Sequence, residues 1–226
     1  MKGRIKINGI IITFAVLLIS ALPSFFLRSC PSNPMEEAIE TFGIALMLMG
    51  QILRVSARGY KSEHSQDGSI LIQSGPYAFV RNPMYLGILL IGIGIVLMVF
   101  KWWVALIFLA VFSIRYMVLT FKEEKKLKAV FGRQYEDYCK LVPRILPSLG
   151  AIFNKDIREF LPLKISWLKK EICPILLVLF ITLLIESWED IKNEGFLIYL
   201  KESSGIFITI ILFIGLVVYL SKRTNT

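Results

Sequence analysis

Two stretches of this sequence carry side chains able to do chemistry. Residues 75–85 read GPYAFVRNPMY and set Tyr77, Arg81, Asn82 and Tyr85 at the mouth of an apolar run, LGILLIGIGIVLMVF. Glu123 and Glu124 lie at the far end of a second apolar run. Asn82-Pro83 reads as a helix start, since Asn favours the N-cap and proline the first helical position. A helix start has unpaired N–H groups and the positive end of the dipole, which suit a carboxylate or phosphate. The glutamate pair suits an ammonium. A ligand with both charges can lie between them, with Tyr77, Phe79, Tyr85 and Phe121 lining its apolar part and drawing a cation to their ring faces. The same residues also suit plainer work. They can cap a helix, form an interfacial aromatic belt and anchor the chain through Arg81, with Glu124 and Lys128 as an i,i+4 surface pair.

The elements that hold these residues are apolar. The chain has 226 residues, 55% of them hydrophobic, and a mean hydropathy of +0.65. Long apolar runs without strand-like alternation predict an all-α integral membrane protein, because a bilayer core admits only helices or closed barrels. Six spans are expected: Ile7 to Leu27, Glu37 to Leu53, Met84 to Phe100, Trp102 to Thr120, Ile172 to Ile185 and Gly205 to Leu220. The fifth is short for a full crossing. The first is a true span rather than a cleaved leader, since Phe25-Phe26-Leu27-Arg28 is a poor cleavage site.

The net charge is +9. With the N-terminus cytoplasmic and the spans alternating, most Lys and Arg fall on the cytoplasmic side, as the positive-inside rule requires. The basic balance then reflects topology and attraction to anionic lipid, not nucleic acid. The three cysteines share no clear compartment, so no disulfide is expected. The single histidine, His64, has no ligand partners by spacing, so no metal site is expected.

Lys101 alone joins the third and fourth spans, which requires a tight antiparallel hairpin. Gly87, Gly92 and Gly94 thin the third helix for close packing rather than forming a phosphate loop. Thr120 to Leu141 reads as a charged amphipathic cytoplasmic helix broken at Gly132 and ended by Pro143 and Pro147. Residues 151–171 interleave apolar and basic side chains and suit the surface of the cytoplasmic leaflet. The expected units are an N-terminal two-span hairpin (1–54), a core with its own hairpin (55–147), and an interfacial segment with two further spans (148–226).

S-adenosylmethionine has the required amino-acid end, a sulfonium and an adenine. Gly75, Tyr77, Arg81, Asn82, Pro83, Tyr85 and Gly87, then Glu123, Glu124, Leu127, Phe131, Gly132, Tyr135 and Tyr138, then Val142-Pro143-Arg144, form an ordered set. It resembles the C-terminal half of the isoprenylcysteine carboxyl methyltransferase family, with phospholipid N-methyltransferases as relatives. The match covers about residues 55–147. The resemblance implies a cytoplasm-facing S-adenosylmethionine pocket with contacts from Ile70, Leu71, Ile72, Tyr77, Asn82, Pro83, Tyr85, and Glu123 or Glu124. It also implies a lipidic or small hydrophobic methyl acceptor reached from the bilayer, and a multi-pass membrane location.

Two positions depart from the family pattern. Asn82 stands where the family has histidine, and it cannot titrate. A carboxylate acceptor needs no base, being ionised at neutral pH. Leu119 stands where isoprenylcysteine enzymes have a substrate-gripping arginine. Arg115, one turn earlier, is the substrate-orienting candidate, with Arg81 the second candidate catalytic group. The other readings are a phospholipid N-methyltransferase-like enzyme and a non-catalytic scaffold that keeps the fold.

Overall fold

The computed structural model describes residues 22–27, 34–65, 68–147, 160–169, 171, 208, 210–215, 217 and 219. The regular structure among these residues is helical, with no strand beyond one isolated bridge between Leu27 and Phe100. The helices are α1 (Pro23–Phe26), α2 (Pro34–His64), α3 (Pro76–Phe79), α4 (Pro83–Val99), α5 (Trp102–Phe131) and α6 (Arg133–Leu141). Two are long and apolar enough to cross a membrane, α2 and α5, and α4 is a shorter apolar helix. The expected spans Ile7 to Leu27, except its last residues, and Ile172 to Ile185 lie outside the described residues, and Gly205 to Leu220 is described only in part.

The glycines explain how α2 and α4 pack, the most extensive helix pairing described. A Cβ on Gly43 would stand 2.8 Å from the Gly94 carbonyl oxygen, and one on Gly50 would stand 2.6 Å from that of Gly87. Both helices place these glycines seven residues apart, so two backbone contacts recur along one antiparallel seam. Ile44, Met47, Leu48, Met98 and Val99 fill the space beside it. Gly92 does a different job, receiving the Phe108 ring of α5. Gly87 and Gly94 therefore serve packing, as their sequence context predicts.

The hairpin of α4 and α5 turns at Phe100 and Lys101, one residue more than the single Lys101 expected and still a tight connection. The Lys101 N–H bonds the Phe26 carbonyl at 3.1 Å, and Trp103 packs at a tilt against the rings of Phe25 and Phe26. Tyr85 and Tyr116 meet edge-on at 4.9 Å near the open end.

Two boundaries differ from the sequence expectation. α2 does not stop at Leu53 but continues to His64. α5 is unbroken from Trp102 to Phe131, so the charged segment after Thr120 prolongs a span rather than starting a helix of its own. The break at Gly132 does occur, at a positive φ of 52° that favours glycine. Residues 160–169 also differ from the surface segment foreseen. Leu163 and Trp167 are buried against Ile52 and Val55 of α2, and Trp167 stacks directly over Gly59. Ser56 donates to the Pro162 carbonyl at 2.6 Å, Glu63 accepts from Lys164 and the Trp167 indole, and Glu171 pairs with Arg54 and Arg58. Leu163 and Trp167 turn to protein because α2 offers them a glycine notch and a row of polar partners, while Ile165 stays exposed.

Candidate functional site

Pro83 begins α4 with Asn82 at the N-cap, as the sequence predicts. The Asn82 side chain does not cap the helix. Its Nδ2 donates instead to the Arg144 carbonyl at 3.1 Å, while the Asn82 backbone carbonyl accepts the N–H groups of Tyr85 and Leu86. Beyond α6 the chain folds back along residues 80–82, where the Arg81 N–H bonds the Pro143 carbonyl at 2.8 Å. The Tyr138 hydroxyl donates to the Tyr77 carbonyl at 2.6 Å, fixing α6 to the α3 turn.

The two glutamates are held differently. Glu124 accepts both Nε and a terminal nitrogen of Arg144, at 3.0 and 2.9 Å, and pairs with Arg81 at 3.1 Å. Arg144 also lies over the Phe121 ring at 4.7 Å. Glu123 accepts from the Tyr85 hydroxyl at 2.8 Å. An ionised carboxylate offers about four acceptor directions. Both glutamates line the same cleft, but Glu124 is bridged to two arginines. Glu124 is a structural tie, because two guanidinium groups already meet its charge.

A cleft of about 110 Å³ opens beside these groups, lined by Ile70, Leu71, Ile72, Tyr77, Arg81, Asn82, Glu123 and Glu124. Pro83 is buried behind it, and Tyr85 reaches it only through Glu123. Arg115 does not line it. That residue sits eight positions before Glu123 on α5, about 12 Å along the axis. The cleft also takes Tyr135 and Tyr138 from α6 and Lys61 and Ser65 from α2 and the residue after it. The two tyrosines belong to the sequence motif. Lys61 and Ser65 carry no sequence signal, because α2 outruns its apolar window.

Electrostatics sharpen the picture. Burial, with the Glu123 charge added, pushes the Tyr77 phenol well above its usual range, and burial does the same for Tyr138. Both remain neutral at physiological pH. Among the described residues, two buried side-chain polar atoms have no partner: Arg81 Nε and Thr120 Oγ1. A buried donor left unmade costs about 1–3 kcal/mol, and Arg81 lines the cleft. The wall therefore combines an acceptor-rich carboxylate, an unsatisfied cationic donor and apolar surface from Leu71, Phe131 and the tyrosines.

Residues 39–134 match the phospholipid methyltransferase family. The chain is 31% identical over 117 residues to protein-S-isoprenylcysteine O-methyltransferase B of Arabidopsis thaliana, covering 48% of this chain and 59% of that protein. It is 29% identical over 133 residues to protein-S-isoprenylcysteine O-methyltransferase of Schizosaccharomyces pombe, covering 55% and 54%. The resemblance to isoprenylcysteine carboxyl methyltransferases is borne out. Its kinship with phospholipid methyltransferases comes with it. A methanethiol S-methyltransferase of Crocosphaera subtropica matches at 35% over 74 residues, 33% of this chain and 28% of that protein. The chain spans little more than half the length of the two isoprenylcysteine methyltransferases it matches. No solved structure matches it significantly.

Proposed function

We propose that this protein is an S-adenosylmethionine-dependent membrane methyltransferase acting on a lipidic or small hydrophobic acceptor. One observation carries the reading. Tyr77, Arg81 and Asn82, and Glu123 from the far end of the next helix, wall a single cleft at the open end of an apolar hairpin. The residues present fit the donor. Glu123 suits its ammonium, Arg81 Nε suits its carboxylate, and Leu71, Phe131 and Tyr77 suit its apolar parts. When bound, S-adenosylmethionine supplies an activated methyl group.

The chain's own contribution is binding and orientation, which can supply much of a transfer rate. Tyr77 stays a neutral hydroxyl beside the carboxylate, so it adds no competing charge. Asn82 cannot move a proton, which suits an acceptor that is already ionised or intrinsically nucleophilic. The enclosed 110 Å³ is below the ~300–1,000 Å³ of typical small-molecule sites. A cleft of this size would hold one end of the donor, with Lys61 and Gly68 lining the same opening. Relatives named for oxygen and for sulfur acceptors support a common core that handles the donor, with acceptor choice made elsewhere. Arg115, inside a span where an arginine is costly, is the proposed acceptor-orienting group.

The test is equilibrium binding of labelled S-adenosylmethionine to the detergent-solubilised full chain, followed by incubation of membranes with methyl-labelled donor and identification of the labelled product. Saturable binding and a labelled apolar product are expected. Folded protein that binds nothing at millimolar donor overturns the reading. Binding without any product favours the scaffold.

A further inference from the structure

The outward face of α5 fixes where the bilayer ends. Trp102, at the start of α5, is 74% exposed, and Ile107, Val111, Ile114 (70% exposed), Val118 and Phe121 are exposed along one stripe. Trp102 to Phe121 is 20 residues of unbroken helix, or about 30 Å, the thickness of a hydrocarbon core. An indole at one end suits the interface there. At the other end the stripe changes character within one turn.

Lys122 follows Val118 by four residues, and Lys125 follows Phe121 by four, so both continue the lipid-facing stripe. Lys126 lies beside them, and all three are exposed. Nearby cations are already neutralised, Lys128 by Glu136 at 2.7 Å and Lys140 by Asp137 at 2.7 Å. Among the described residues, Lys122, Lys125 and Lys126 have no acidic partner. Glu123 and Glu124, between them in sequence, face the opposite way, toward Tyr85, Arg81 and Arg144.

We infer that Lys122, Lys125 and Lys126 form a docking surface for anionic lipid headgroups, at the level of the cleft and on the other side of the same helix turn. The occupant is a lipid, not a soluble anion, because the three ammonium groups directly continue an exposed apolar stripe long enough to cross a hydrocarbon core. Bound headgroups hold α5 at a fixed depth, and with it the cleft.

The test uses the full chain reconstituted in phosphatidylcholine bilayers carrying spin-labelled phosphatidylglycerol or spin-labelled phosphatidylcholine. The fraction of each label that is motionally restricted gives the lipid preference. The native protein is expected to prefer the anionic lipid several-fold, since a lysine at such a surface contributes up to about fivefold. K122Q/K125Q/K126Q is expected to lose at least half of that preference, and the matching arginine triple to keep it. Retention of the native preference by the glutamine triple overturns the inference, as does its loss in the arginine triple. So does millimolar inorganic phosphate abolishing the preference at constant ionic strength, which would mark a soluble-anion site. The preference is read without methyl donor, so it stands or falls separately from the proposed transferase activity.

Discussion

Glu123 and Glu124 are neighbours with different tasks, and substitution should separate them. Glu123→Gln is expected to weaken S-adenosylmethionine binding by about tenfold or more, the worth of one charge-assisted hydrogen bond, with little change in thermal stability. Glu124→Gln is expected to lose about 3 kcal/mol of stability, because it strips the shared partner from Arg81 and Arg144 in a largely buried cluster. Thermal unfolding and donor binding on the same samples check both, and the reverse assignment of effects would refute the division. The tyrosines give a pH prediction. Tyr77, Tyr135 and Tyr138 are all held above the usual phenol range, first by burial. An unfolded chain releases these protons from about pH 10, while the folded chain keeps them. The stability they contribute is therefore fully present below pH ~10 and falls as pH rises past it. Denaturant titrations across that range should show the decline, and it should shrink in Tyr138→Phe.

At the scale of elements, the α2–α4 seam is the feature most sensitive to a single methyl group. Gly94→Ala would bring a Cβ to 2.5 Å from the Gly43 carbonyl oxygen, a backbone atom that cannot rotate away. A loss of about 1–3 kcal/mol is expected, as for overpacked cores. Gly215→Ala, where nothing lies within 4 Å, should be near neutral in the same unfolding assay. The sequence makes some elements legible and not others, for physical reasons. Pro83, Lys101, Gly132 and Pro143 act locally, through φ restriction, chain length and a missing donor, so the start of α4, the hairpin turn and both ends of α6 follow from residue type. The polar extension of α2 to His64 does not, because its support is distant: Trp167 over Gly59, Pro162 on Ser56 and Glu171 on two arginines. Asn82 shows the same limit. Its position follows from its neighbours, but its side chain answers to the Arg144 carbonyl, 62 residues away. The motif residues of the cleft were readable as a set, whereas Lys61 and Ser65 enter it only through that unforeseen stretch of helix.

For the whole molecule, the exposed stripe of α5 predicts a depth profile. In a background with Cys30, Cys139 and Cys173 replaced by serine, a nitroxide at Ile114 should collide mainly with oxygen, and one at Lys125 with a water-soluble nickel chelate. Equal access at both positions would contradict the assigned level. One further consequence follows from α5 having no break between Trp102 and Phe131. Its lipid-facing side chains, its lysines and its glutamates share one helical phase. A single residue inserted before Thr120 would turn everything after it by about 100°, swinging the carboxylates away from their arginine and tyrosine partners and the ammonium groups off the bilayer. Four inserted residues would nearly restore the angle yet lift both sets by about 6 Å. Angular phase and height thus constrain the length of this arm independently, and no change in its residue count satisfies both.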